Sequence, residues 1–240
     1  MIRYLVYVVF SILFMALGAS TYNAIVDAPF PWPTTSKPED AMSYTLLVVN
    51  DRGHGGSGVA ISRYHVLTAG HVVEGRDARD YKVKLGDNEW DVLFARQLPG
   101  MDAVILTVQG SPPPPVPPLG HDLQQGEPVL VTGHPWCGPA QVTHGLLSGK
   151  GRYHPAEWLT DADAAPGSSG CPVWNEDGEL IAIVVAGTKG RGATFTVVLP
   201  ISEVLSGLEQ PWRIGTEGTV GRGRGSRDGL YRPRYPAVQE

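Results

Sequence analysis

Attack on a carbonyl carbon by a serine hydroxyl needs a base to take the proton and backbone amides to hold the oxyanion. Residues 161–172, Asp-Ala-Asp-Ala-Ala-Pro-Gly-Ser-Ser-Gly-Cys-Pro, present Ser169 in such a setting. Gly167 and Gly170 bracket it, and glycine tolerates backbone angles closed to other residues, so the chain can turn tightly there. The same composition also suits a polar, Gly-rich hairpin loop, and short motifs recur by chance. Two further residues bear on the choice. His71 follows the run Val66-Leu67-Thr68-Ala69-Gly70, and Asp102 precedes the apolar run 103–106. Alone, a histidine past a strand is usually a surface residue, and an aspartate ahead of one a turn former. Together, a histidine, an aspartate and a serine, each at a strand edge, can form a relay. In it the acid orients the base and the base activates the hydroxyl.

Such a relay needs a scaffold with many strand ends. Segments 44–49, 58–62, 65–68, 81–85, 90–95 and 103–108 are short, rich in β-branched or aromatic residues, and bounded by Gly, Asn, Asp or Pro. Residues 111–118, Ser-Pro-Pro-Pro-Pro-Val-Pro-Pro, cannot enter a sheet interior because proline lacks the amide donor. They predict an extended connector. A second set follows at 128–132, 141–147, 158–160, 172–174, 180–186 and 194–199, with Asn175-Glu176-Asp177-Gly178 as a hairpin turn. The pattern predicts an all-β fold of two packed six-stranded antiparallel barrels, 43–110 and 119–208, ending in a short helix over 201–208.

With 240 residues, 42% hydrophobic and 18% charged, the chain has the composition of an ordinary globular protein, and 30 Gly with 21 Pro favour turns over long helices. The net charge of −5 gives no reason to expect nucleic acid as the main partner. Leu5 to Leu17 is apolar apart from Ser11, with Arg3 ahead and Gly18, Ala19 and Ser20 behind. Residues 1–20 therefore fit a cleaved signal peptide or an uncleaved membrane anchor, and either places the rest outside the cytoplasm, tethered, secreted or periplasmic. Residues 21–42, rich in Pro, Thr and Ser, are expected to be a linker. The tail 209–240 carries Arg222, Arg224, Arg227, Arg232 and Arg234 among glycines and is expected to be disordered. A basic tail can touch RNA or acidic lipid, a rival function that deletion of 210–240 separates from catalysis.

Gly56-Ser57-Gly58-Val59 with Val66-Leu67-Thr68-Ala69-Gly70-His71, Asp102-Ala103-Val104-Ile105-Leu106, Gly133-His134-Pro135, Val142 through Gly149, and the stretch around Ser169 occur in the order of a trypsin-like peptidase domain. The chain most resembles the bacterial Deg, or high-temperature-requirement, group over about residues 44–208. The resemblance implies a serine endopeptidase acting on protein or peptide substrates, with Ser169 as nucleophile, His71 as general base and Asp102 orienting the imidazole. The amides of Gly167 and Ser169 would form the oxyanion hole. Val185, Ala186 and Gly187 would line a specificity pocket. Asp163 has the spacing of the trypsin pocket carboxylate, although the same position in Deg-like proteins is small or apolar. Cys137 lies in a loop that this fold brings near Cys171, so a disulfide is conceivable in an oxidising compartment.

The departures also carry information. Ser168 stands where digestive enzymes hold an aspartate, which removes the carboxylate that pairs with a freshly cut N-terminus. Cys171 replaces a glycine. No region beyond 208 looks like a PDZ module. His54, His65, His121, His134, His144 and His154 read as loop or surface residues. His134 and Cys137 lack a second pair of donors, so no metal or cofactor is implied. The oligomeric state has no sequence signal. A catalytically silent relative that binds peptides or a partner through the same cleft is the alternative, and divergence within the three residues, its signature, is absent.

Overall fold

Alternating apolar and polar residues between turn formers produce strands along the whole central region. The computed structural model describes residues 38–110, 116–120, 122–151, 154–190 and 193–208. The first six strands are β1 (Thr45–Asn50), β2 (Gly55–Ser62), β3 (His65–Thr68), β4 (Tyr81–Leu85), β5 (Asn88–Gln97) and β6 (Val104–Val108). They close into an antiparallel barrel in the order β1-β2-β3-β6-β5-β4. β7 (Pro128–Gly133), β8 (Gln141–Lys150), β9 (Trp158–Thr160), β10 (Pro172–Trp174), β11 (Leu180–Gly190) and β12 (Ala193–Pro200) form the second. Its order, β10-β11-β12-β9-β8-β7, repeats the connectivity of the first when counted from its own first strand. Closure leaves no unpaired sheet edge. The fold is therefore the expected pair of six-stranded barrels.

Each barrel fills with the inward residues of its strands. Leu46, Val48, Val59, Leu67, Val83 and Leu106 are fully buried in the first. Val129, Val131, Leu147, Val173, Ile181, Val184 and Val198 pack together in the second, and Cys171 packs with them as a core residue. The 175–178 turn closes as the hairpin between β10 and β11: Asn175 Oδ1 accepts the amides of Asp177 and Glu179 at 3.1 and 2.9 Å. The terminal helix is α2 (Ile201–Leu208), which buries Ile201, Val204 and Gly207.

Two segments differ from expectation. The end of the expected linker is a helix, α1 (Pro38–Ser43). Proline suits a first helical turn because its missing donor is not needed there, and Glu39 and Asp40 favour the positive helix end. The described end of the Pro-rich connector is more than a spacer. Leu119 bridges Leu180 in parallel, Leu180 N–H donates to Pro118 O at 2.8 Å, and Gly120 N–H donates to Leu180 O at 3.0 Å. The expected signal or anchor segment 1–20, linker residues 21–37, connector residues 111–115 and the tail 209–240 lie outside the described residues. Among the described residues no helix is long and apolar enough to cross a membrane.

Buried hydroxyls join the barrels. Thr45 Oγ1 donates to Ala41 O at 3.1 Å and lies 2.5 Å from Thr132 Oγ1, which in turn accepts Trp174 Nε1–H at 2.9 Å. The Tyr44 and Trp174 rings meet at 5.7 Å. Every polar atom in this chain of contacts has a partner, as burial demands.

Candidate active site

β3 ends at Thr68, and the chain then makes a single 3-10 turn, Gly70–Val72, that carries His71. Asp102 sits just before β6, in the turn after β5. Its carboxylate meets the histidine twice: Oδ1 accepts the His71 backbone N–H at 2.9 Å, and Oδ2 lies 2.7 Å from Nδ1. The other ring nitrogen, Nε2, lies 2.7 Å from Ser169 Oγ. With the proton on Nδ1 donated to Asp102, Nε2 is left as the acceptor for the serine hydroxyl. Residues 71, 102 and 169 thus stand in series.

The side chain of Asp102 is 9% exposed and that of His71 43%. Burial disfavours the charged imidazole. The Asp102 hydrogen bond and charge, aided by Glu74, outweigh it and hold the His71 pKa above its ordinary 6.5. Gln97, at the end of β5, grips the turn around the acid. Its Nε2 donates to Met101 O at 2.7 Å and Ala103 O at 3.0 Å, the carbonyls on either side of Asp102. Nothing local in the sequence singled out Gln97.

The nucleophile loop is held carbonyl by carbonyl. Ala165 O accepts Ser168 N–H at 2.8 Å, Pro166 O accepts Trp136 N–H at 2.5 Å, Ser168 O accepts Cys171 N–H at 3.0 Å and Ser169 O accepts Ser57 N–H at 2.7 Å. Gly167 O accepts the Ser57 hydroxyl at 3.1 Å. In a planar trans peptide, fixing a carbonyl aims the following N–H to the opposite side. The loop's hydrogen bonds use the amides of Ser168 and Gly170 and leave those of Gly167 and Ser169 out. Gly167 has φ +93° and Gly170 φ +84°, conformations a side chain would strain. Ser168, in place of a carboxylate, caps the loop itself: its Oγ accepts Ala165 N–H at 3.1 Å.

Beside this loop the turn Pro135–Cys137 places two non-glycine residues, Trp136 (φ 52°) and Cys137 (φ 55°), in the left-handed region. In this turn the Trp136 N–H donates to Pro166 O. The indole itself is 70% exposed. It helps to line a cleft of about 270 Å³ behind the loop, with Gln141, Thr143, Asp163, Ala164 and Ser168. Asp163 is therefore on a cleft wall, its carbonyl accepting Thr143 Oγ1–H at 2.9 Å. Val185 and Gly187 do not join it there. A bulge lies between Val184 and Ala186, and Val185 is 1% exposed. Gly187 faces open space.

The conceivable Cys137–Cys171 disulfide is not formed; both thiols are free. Cys171 faces the second barrel's core, where burial pushes its thiol up to about 11 despite hydrogen bonds to Ser57, Ser168 and the His134 backbone. It is a neutral, structural thiol. Among the described residues no cluster of His, Cys, Asp and Glu could hold a metal ion.

Two barrels of equal connectivity thus carry a serine, a histidine and an aspartate in hydrogen-bonded series. A family model described as the trypsin-like peptidase domain matches residues 56–183, and the chain belongs to that family. A probable periplasmic serine endoprotease, DegP-like, from Pseudomonas fulva (strain 12-X) is 34% identical over 179 residues, 70% of this chain and 36% of that protein. The chain thus spans little more than a third of that relative. Among solved structures, the active form of the Rv3671c protease from Mycobacterium tuberculosis superposes with a TM-score of 0.61 at 24% identity, covering 80% of this chain and 97% of the other. The HtrA-type protease AlgW with a decapeptide gives a TM-score of 0.61 at 22% identity, covering 77% and 69%. These likenesses concern the fold.

Proposed function

We propose that this chain is a serine endopeptidase that cleaves peptide bonds through an acyl-enzyme. The observation that carries the proposal is the unbroken series Ser169 Oγ, His71 Nε2, His71 Nδ1, Asp102 Oδ2, with both contacts at 2.7 Å. Ser169 Oγ attacks the scissile carbonyl as its proton passes to Nε2. The oxyanion settles against the amides of Gly167 and Ser169. His71 returns the proton to the leaving amine; water, deprotonated by the same nitrogen, then attacks the acyl carbon, and His71 passes that proton to Ser169 Oγ as the acyl group leaves. Asp102 keeps the tautomer and stabilises the imidazolium. Residues 43–208 form the peptidase unit in this account. The extracytoplasmic placement that the N-terminal sequence suggests agrees with a relative named as periplasmic.

Hydrolysis of an unfolded protein substrate by the full chain, compared with Ser169→Ala, tests the proposal. Cleavage by the wild type and none by the variant is expected. Equal cleavage by both would place the chemistry elsewhere, and no cleavage by either would favour a silent peptide-binding protein.

A further inference from the structure

Of the five donors that meet the carbonyls of residues 165–169, four are backbone amides and one is a side chain, the Ser57 hydroxyl. Ser57 belongs to β2 of the first barrel, 110 residues away in sequence from Gly167, and is fully buried. Its hydroxyl gives its single proton to Gly167 O at 3.1 Å and accepts His134 N–H at 2.8 Å. Its own amide holds Ser169 O at 2.7 Å. Its carbonyl accepts Thr68 Oγ1–H at 2.6 Å, at the end of the strand that leads to His71. One residue thus touches the nucleophile loop, the turn preceding Trp136 and the histidine strand.

We infer that Ser57 is a positioning residue of the first barrel that sets the aim of the oxyanion amides; this rests on the endopeptidase proposed above. The Gly167–Ser168 peptide lies between the two peptides that carry the Gly167 and Ser169 N–H groups. Rotation of that middle plane turns both donors, and the Ser57 hydroxyl is what its carbonyl holds. A displacement of the order of 1 Å in such a group lowers a rate about 10²-fold without changing what binds. The neighbouring Gly56 shows how closely β2 must approach. A Cβ there would fall 2.5 Å from Ser169 O, so only glycine lets Ser57 reach the loop.

The test compares Ser57→Ala with Thr45→Val, which removes a buried hydroxyl from the same barrel junction without touching the loop. Both are made in the full chain and assayed well below their unfolding midpoints. In Ser57→Ala kcat should fall about tenfold or more, short of the roughly 10²–10³-fold cost of deleting an oxyanion donor, with KM unchanged. Thr45→Val should keep wild-type kcat. Backbone ¹⁵N resonances of Gly167 and Ser168 should shift or broaden in Ser57→Ala and stay in place in Thr45→Val. Wild-type turnover in Ser57→Ala, equal losses in the two variants, or unmoved Gly167 and Ser168 resonances would overturn the inference. A wild-type chain that cleaves nothing would remove the endopeptidase proposal, while the resonances would still judge Ser57.

Discussion

His71 carries the pH dependence of the proposed reaction. A base must be neutral to take a proton, and Asp102 with Glu74 hold the His71 pKa above 6.5. Activity should therefore fall as pH falls, with the midpoint of kcat/KM above 6.5. Asp102→Asn removes the raising contributions of the carboxylate and leaves the burial that opposes charge. The midpoint should then move downward, and kcat should fall by about 10⁴ because the tautomer is no longer held. A pH–rate profile of the two proteins checks both expectations. An unshifted midpoint would disconnect Asp102 from His71. These three residues were legible in the sequence because each follows or precedes a strand with its own local signal. Ser57 and Gln97 were not. Their roles arise from hydrogen bonds to backbone carbonyls that only the folded barrels bring near, and Ser57 stood out only as part of a family stretch with no role of its own.

At the scale of elements, all twelve strands were legible, although β2, β5, β8 and β11 run two to four residues past their expected bounds. β3, β4, β9, β10 and α2 end where turn residues say they should. The turn 135–137 was not legible, because tryptophan and cysteine are poor candidates for left-handed angles. Holding two such residues there costs of the order of 1–3 kcal/mol each, and the return is one amide aimed at Pro166 O. Glycine keeps both the amide and the angle, so Trp136→Gly should retain turnover. Trp136→Pro loses the donor and cannot adopt φ 52°. It should lower kcat by roughly 10²-fold, on the scale of a lost oxyanion donor. Steady-state kinetics of the pair decide the point, and equal activity would show that the turn has no part in aiming Gly167. The bulge beside Val185 was not legible either, since it depends on the register of β11 against β12, which no local pattern reports.

At the scale of the molecule, the proposed catalysis depends on two barrels staying in one arrangement, since His71 and Asp102 come from one and Ser169 from the other. Trp174 is central to that joint: it is among the largest fully buried side chains, meets the Tyr44 ring at a tilt and donates to Thr132. Truncation to alanine should cost about 3–5 kcal/mol, a large part of a domain's stability. Denaturant unfolding of Trp174→Ala measures it, and a loss below about 1 kcal/mol would mean that the joint is held elsewhere. The paired-barrel plan was legible from two runs of six strands around a Pro-rich break. The hydroxyl chain at the joint was not, since Thr45 and Thr132 are ordinary strand residues until the barrels meet. The central claim, a nucleophilic Ser169 activated by His71, is tested most directly by a fluorophosphonate followed by intact mass and peptide mapping. One adduct on Ser169 in the wild-type chain, and none in His71→Ala, is the result expected. An adduct on another residue, or undiminished labelling without His71, would contradict it.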